Sequence, residues 1–173
     1  MISVKLRSVD LSTLERARFV ELFGGVFEHA PWVAEQAFLA GPFRTIEALH
    51  GAMVDTMRGA PRERQLALIR AHPDLAGRAA IAGELTAASS AEQASAGLDR
   101  CTPEEFARFQ ELNDNYQGKF GFPFILAVKG RTRAEILAAF EQRLDNTPTA
   151  EFEEALRQIA EIARLRLEDL VEA

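Results

Sequence analysis

The chain has 173 residues, 47% apolar and 27% charged, with a formal net charge of −6 and one cysteine. That length and balance describe one ordinary globular domain with a core of its own. The basic residues are dispersed, which argues against a nucleic-acid-binding protein, and a single cysteine excludes an intrachain disulfide.

Met1-Ile2-Ser3-Val4-Lys5 opens no signal-peptide pattern. Ser12-Thr13-Leu14-Glu15 reads as a capping box for a first helix with Leu14, Ala17, Val20 and Phe23 on its inner face, weakened at Gly24-Gly25. Pro31 suits the first turn of a second helix, through about Leu39, which Gly41-Pro42 stops. A third is predicted from about Thr45 to Arg58 with Ile46, Leu49, Met53 and Met57 buried. Pro61 starts a fourth, ending near His72 because Pro73 pushes its predecessor out of helical dihedrals.

From Pro73 to Ala88 a Gly-interrupted loop with one or two helical turns is expected, then a short helix from Ser89 or Ser90. Thr102-Pro103-Glu104-Glu105 caps a longer helix whose stripe is Phe106, Phe109, Leu112, Asn113, Tyr116 and Phe120. Gly121 to Val128 is the single strand-like run, too isolated to build a sheet. Thr132 opens a helix to about Leu144, Asn146-Thr147-Pro148 turns, and a last helix covers roughly Thr149 to Val171. The prediction is one all-α domain of about eight helices. No window approaches a membrane span, and the C-terminal Val171-Glu172-Ala173 is no peroxisomal address, so the cytoplasm is the expected compartment.

His29, His50 and His72 are about twenty residues apart, without the short spacings of helical metal ligands, so no metal site is expected. His29, in a Glu-His-Ala-Pro turn, reads as solvated, and His50, beside its helix stripe, as a hydrogen-bonded structural residue. His72 ends its helix against the negative pole of the macrodipole, which favours the protonated imidazole by ~0.3–1 kcal/mol. It also continues the inner face of Leu68, so it serves equally as a general acid or as a cap for helix carbonyls. Ser89, Glu92 and Gln93 share one face of a first turn whose free N–H groups suit an anion, while Ser89/Glu92 and Ser90/Gln93 also fit overlapping capping boxes.

Arg166 falls inside the apolar stripe Phe152, Ala155, Leu156, Ile159, Ile162, Ala163 and Leu170 of the last helix. An inward guanidinium needs an anionic or multi-acceptor partner, whether a ligand or an internal salt bridge, unless it snorkels to a dimer surface. Phe120-Gly121-Phe122-Pro123-Phe124, an extended apolar run without a ladder, must if buried find backbone partners in a ligand, in nearby helix ends or in water. Cys101, beside the Thr102-Pro103 cap, reads as an inert structural thiol.

Together, Phe27-Glu28-His29-Ala30-Pro31-Trp32-Val33, Ala71-His72-Pro73-Asp74-Leu75-Ala76-Gly77, Ser89 to Leu98, Leu112-Asn113 through Phe124, and Ile162-Ala163-Arg164-Leu165-Arg166-Leu167 resemble the 2-oxo-4-hydroxy-4-carboxy-5-ureidoimidazoline (OHCU) decarboxylase family over nearly the whole chain. The resemblance implies an all-helical, cofactor-free and metal-free homodimer that converts OHCU into (S)-allantoin, the last step from urate. It makes His72 the catalytic histidine and Glu92 its partner. It places Pro73, Ser89, Ser90, Ala91, Gln93, the backbone of Phe124, Ile125, Leu126, Ala127 and Val128, and Arg166 against the substrate. A helical interaction module, with these residues scattered as ordinary caps and pairs, is the competing reading; a hydrolase acting on a related ureide is a third.

Overall fold

The computed structural model describes residues 4–77 and 83–173. The Met1–Ser3 part of the N-terminal reading, and residues 78–82 of the loop expected after Pro73, lie outside the described residues. The described residues form eight α-helices, three short 3₁₀ turns and one two-residue parallel pairing, so the all-α expectation holds. That pairing, Leu6 with Val171 and Arg7 with Glu172, was not foreseen. The helices are α1 (Arg16–Phe23), α2 (Pro31–Ala37), α3 (Ile46–Gly59), α4 (Arg62–Arg70), α5 (Ala87–Ser95), α6 (Pro103–Phe120), α7 (Arg133–Leu144) and α8 (Pro148–Leu170). They pack as two compact units, residues up to Leu68 with Ala160–Ala173, and Ile69–Ile159.

In the first unit the expected capping box does not form. Thr13 Oγ1 instead donates to the Asp10 carbonyl (2.8 Å), closing a 3₁₀ turn, and α1 starts at Arg16. Its buried face is Phe19 and Phe23, not Ala17, which is exposed. The two phenylalanines lie four apart and edge to face (5.0 Å between centroids), with Phe38 against Phe19 at 5.2 Å. Rings carry more apolar area than alanine or valine, so they choose the helix's rotation. In α3, capped by the Thr45 side chain on the Ala48 N–H, Leu49, Met53 and Met57 are fully buried. Gln65 Nε2 donates to the Met57 and Arg58 carbonyls at the end of α3.

In the second unit, Thr102 and Glu105 form the predicted reciprocal capping box at 3.1 and 3.0 Å, and Gly121, at φ +77°, ends α6 in the left-handed region. Phe109, Leu112, Asn113 and Tyr116 are buried along α6. Helix α5 begins earlier than expected. Thr86 is its N-cap, accepting from the Ser89 N–H at 3.2 Å, so Ser89 and Ser90 sit inside the helix and neither caps it. Two alanines follow Thr86, and their high helix propensity makes the earlier hydroxyl the better boundary. At the far end of α8, Leu170 is 37% exposed and Leu167 takes its place in the core. The chain leaves the helix there, and Val171, which is buried, joins the strand pair.

Candidate active site

His72 is the buried residue (8% exposed) that ends the α4 region, its N–H turned back onto the Ile69 carbonyl at 3.2 Å. Pro73 has no N–H to continue the helix, and the chain enters a loop whose polar backbone is covered by amide side chains. Gln93 Oε1 accepts from the Ala76 N–H (3.0 Å), and its Nε2 donates to the Asp74 carbonyl (3.2 Å). From α6, Gln110 Nε2 donates to the Ala76 carbonyl (2.8 Å) and Asn113 Nδ2 to the Leu75 carbonyl (3.0 Å), while Gln117 Nε2 reaches Asp74 Oδ1 (3.2 Å). Gln110, Asn113 and Gln117 follow i, i+3, i+7 spacing, one helix face. Ala76 sits at φ +50°, a strained conformation for alanine. It persists because both its backbone groups are held. Asp74 to Ala76 are therefore held by side chains of two helices. Sequence reading took Gln93 as a substrate contact and overlooked Gln110 and Gln117, although amides at helical spacing were visible beside Asn113. The Asn113 Oδ1 is buried without a hydrogen-bond partner among the described residues, an acceptor open to a ligand donor or a water.

Burial raises the Asp74 carboxyl above its ordinary value; the Gln117 hydrogen bond opposes this and nearby Asp114 adds to it. A raised carboxyl favours the folded state only in its protonated form. Its contribution to stability is thus lost as pH rises from about 3.9, the unfolded aspartate value, through the folded pKa. Asp74→Asn keeps an acceptor for Gln117 and removes the half-buried charge. It should be at least as stable as the parent at pH 7, with the gap closing near pH 3. Urea unfolding at the two pH values checks this, and a variant equally destabilised at both would contradict it.

On α5, Ser89 and Gln93 are buried and Glu92 half-buried on the inner face, whereas Ser90 and Ala91 are exposed. The free N–H groups expected at this turn are engaged, Ser89 by Thr86 Oγ1 and Ser90 by the Thr86 carbonyl (2.9 Å), because the helix starts earlier. Ser90 and Gln93 share a cleft of about 430 Å³ with Ala76, Leu85 and Cys101; His72 does not line it. The Cys101 thiol donates to the Leu98 carbonyl (3.4 Å), and burial, with Glu105 near, pushes its pKa up, as suits an inert thiol.

Phe122 to Val128 is buried throughout and belongs to no helix or strand. Its backbone is satisfied from one side by side chains. Arg143 Nη1 donates to the Ile125 carbonyl (2.6 Å), Gln158 Oε1 accepts from the Ala127 N–H (3.0 Å), and Arg131 Nε donates to the Ala127 carbonyl (3.0 Å). The N–H and C=O of Leu126 between them have no hydrogen-bond partner among the described residues. The sequence raised the question of unladdered backbone for Phe120 to Phe124, and the resemblance extended it to Val128, but neither named any of the three side chains. Both also missed the buried pair of Arg143 with Glu151, whose nearest oxygen is 2.8 Å away.

Arg166 lies in the first unit and is 6% exposed. Its Nη2 is 2.9 Å from Glu28 Oε2 and its Nη1 donates to the Gly25 and Val26 carbonyls, at 3.3 Å each. The internal salt bridge, one of the arrangements open to it from sequence, is thus present. Glu28, 2% exposed, went unnoticed as that partner. His29 is exposed, with Nε2 3.9 Å from Glu28 Oε1, and His50 Nε2 lies 2.8 Å from the Ala160 carbonyl, both as expected. Among the described residues no group of three or more His, Cys, Asp or Glu side chains is placed to hold a metal ion, and no helix is long and apolar enough to cross a membrane.

A family model described as OHCU decarboxylase matches residues 12–168. The 2-oxo-4-hydroxy-4-carboxy-5-ureidoimidazoline decarboxylase of Halalkalicoccus jeotgali is 46% identical over 166 residues, covering 96% of this chain and 92% of that protein. A crystal structure of (S)-allantoin synthase superimposes with a TM-score of 0.78 at 32% identity; the match covers 96% of this chain and spans 54% of that one. A crystal structure of OHCU decarboxylase in the presence of (S)-allantoin gives 0.66 at 28% identity, covering 80% and 89%.

Proposed function

The chain belongs to the OHCU decarboxylase family, and on that premise we propose that His72, oriented by Glu92, delivers the proton that turns decarboxylated OHCU into (S)-allantoin. The reaction breaks the bond to the carboxyl carbon and releases carbon dioxide. The unsaturated ring takes up the electron pair, so the substrate supplies its own electron sink. The protein's tasks are then to orient the carboxylate, stabilise the developing enolate and protonate one face. The observation that carries the reading is the placement of His72, buried on a loop that Gln93, Gln110, Asn113 and Gln117 hold in a strained turn. Such a support keeps an acid within the small tolerances that stereospecific proton transfer demands.

Ser89 and Gln93 supply polar contacts to the ureide; Gln93 has an N–H and a lone pair beyond the two bonds it makes to the loop. The Phe124–Val128 backbone, foremost the Leu126 N–H and C=O, meets the amide edge of the substrate. Pro73, Ser90 and Ala91 shape the surrounding wall. Arg166 is given a substrate contact by the family resemblance alone. Residues 1–173 are read as one cytoplasmic, cofactor-free domain working as a homodimer, in keeping with a family match that runs from residue 12 to 168.

Generating OHCU in situ from urate and following circular dichroism tests the reading. The expected result is rapid, chelator-insensitive formation of optically active allantoin at a rate proportional to enzyme. Only the slow racemic background would overturn it.

A further inference from the structure

We propose that Arg143 and Gln158 are positioning residues for the reaction, each clamping one of the two peptide planes that flank Leu126. The proposal rests on the reading that the Phe124–Val128 backbone meets the substrate.

A trans peptide is planar, and its C=O and N–H point in opposite directions. The sole cis bond among the described residues is Gly41-Pro42, so both peptides around Leu126 are trans. The Ile125 carbonyl shares a plane with the Leu126 N–H, and Arg143 Nη1 holds that carbonyl at 2.6 Å. The Leu126 carbonyl shares a plane with the Ala127 N–H, which Gln158 Oε1 holds at 3.0 Å. Each side chain grips the far end of a plane whose near end is a buried Leu126 group without a partner among the described residues. Together they aim a donor and an acceptor from one residue, the complement of a ligand amide or ureide edge.

The setting of Arg143 fits this purpose better than a purely stabilising one. Its Nε lies 2.9 and 3.0 Å from the Glu151 carboxylate oxygens and its Nη2 2.8 Å from Oε2, with the glutamate fully buried. Tyr116 donates to the same carboxylate at 3.0 Å, and burial pushes the phenol pKa up, so it remains a donor. The guanidinium lies 4.4 Å from the centroid of the Phe124 ring, which stacks on Phe140 at 3.9 Å. Desolvating two charges costs several kcal/mol per ion, and apolar replacements of such pairs are often neutral or stabilising. An aliphatic pair could fill the space. Only a planar fork locked on a carboxylate leaves its third nitrogen at a fixed angle on the Ile125 carbonyl. Lysine, with one flexible ammonium, cannot hold both partners in that geometry.

The test compares wild type, Arg143→Lys and Gln158→Met in OHCU turnover, with thermal melts alongside. Gln158 is half-buried, so its replacement leaves the core intact. Both variants should raise KM for OHCU about tenfold or more with a smaller fall in kcat, as expected when a ligand-binding edge is misaimed. Loss of melting temperature should be small in Gln158→Met and should not track KM across the two. If KM stays within twofold of wild type in Gln158→Met, and in Arg143→Lys where it folds, the positioning role is overturned, whatever happens to the melts. Wild type that shows no turnover would remove the functional reading and this inference with it. Turnover with unmoved KM removes the inference alone.

Discussion

Replacing His72 with Asn should lower OHCU turnover by about three orders of magnitude, the range that a positioned general acid contributes, while the helical spectrum and the melt stay near wild type. Asparagine keeps a polar side chain of similar reach but carries no transferable proton near neutral pH. The fold should tolerate it because the loop keeps holds that do not involve the imidazole. The His72 N–H to Ile69 bond is a backbone contact, and the strained turn at Ala76 depends on Gln93 and Gln110. Turnover and the optical activity of the product are read together by circular dichroism during in situ generation of OHCU. If His72→Asn retains turnover within tenfold of wild type, another group protonates the product and the assignment fails. If the residual allantoin is racemic, the variant has lost facial control along with rate, as the proton-delivery role requires.

The second large effect is on stability. Arg166→Met leaves the Glu28 carboxylate, 2% exposed, without the guanidinium now 2.9 Å away. Breaking one side of a buried pair costs about 3–5 kcal/mol, since the remaining charge stays desolvated. His29, exposed and 3.9 Å from Glu28, offers little replacement. Glu28→Gln should be milder, because the Gly25 and Val26 carbonyls still accept from Arg166. The double variant should recover much of the loss, giving a favourable coupling energy in a double-mutant cycle measured by urea unfolding. Additive losses under about 1 kcal/mol each would mean that the pair is solvated and structurally idle. The double variant also separates two roles of Arg166. If it is folded but impaired in kcat/KM, the guanidinium touches substrate; if it is folded and fully active, the residue serves the fold alone.

How far the primary structure could be read depended on the range of the interaction involved. The cap of α6 was legible because Thr102 and Glu105 satisfy one another within a single turn, with Pro103 preset at the first helical position. The end of α4 was legible because Pro73 lacks a donor, which no tertiary contact can restore. Where several local solutions were chemically equivalent, the reading slipped. Thr86, Ser89 and Ser90 are all competent caps, and the structure uses the first. The face of α1 turned to take in Phe19 beside Phe23 once Phe38 packed against Phe19, a preference invisible to periodicity within α1.

The candidate site divides in the same way. Sequence by itself determined the helical class, the identities of His72, Ser89, Glu92 and Gln93 as candidates, and the inward face of Arg166, because spacing and backbone chemistry act over a few residues. Tertiary structure alone decided that Gln93 grips the loop after His72, that Glu28 neutralises Arg166, and that Arg143 on Glu151 anchors the Ile125 carbonyl. Each of those is a buried charge or amide whose desolvation is tolerable only beside a matching partner. Which partner arrives depends on how distant segments pack, and no local rule encodes it.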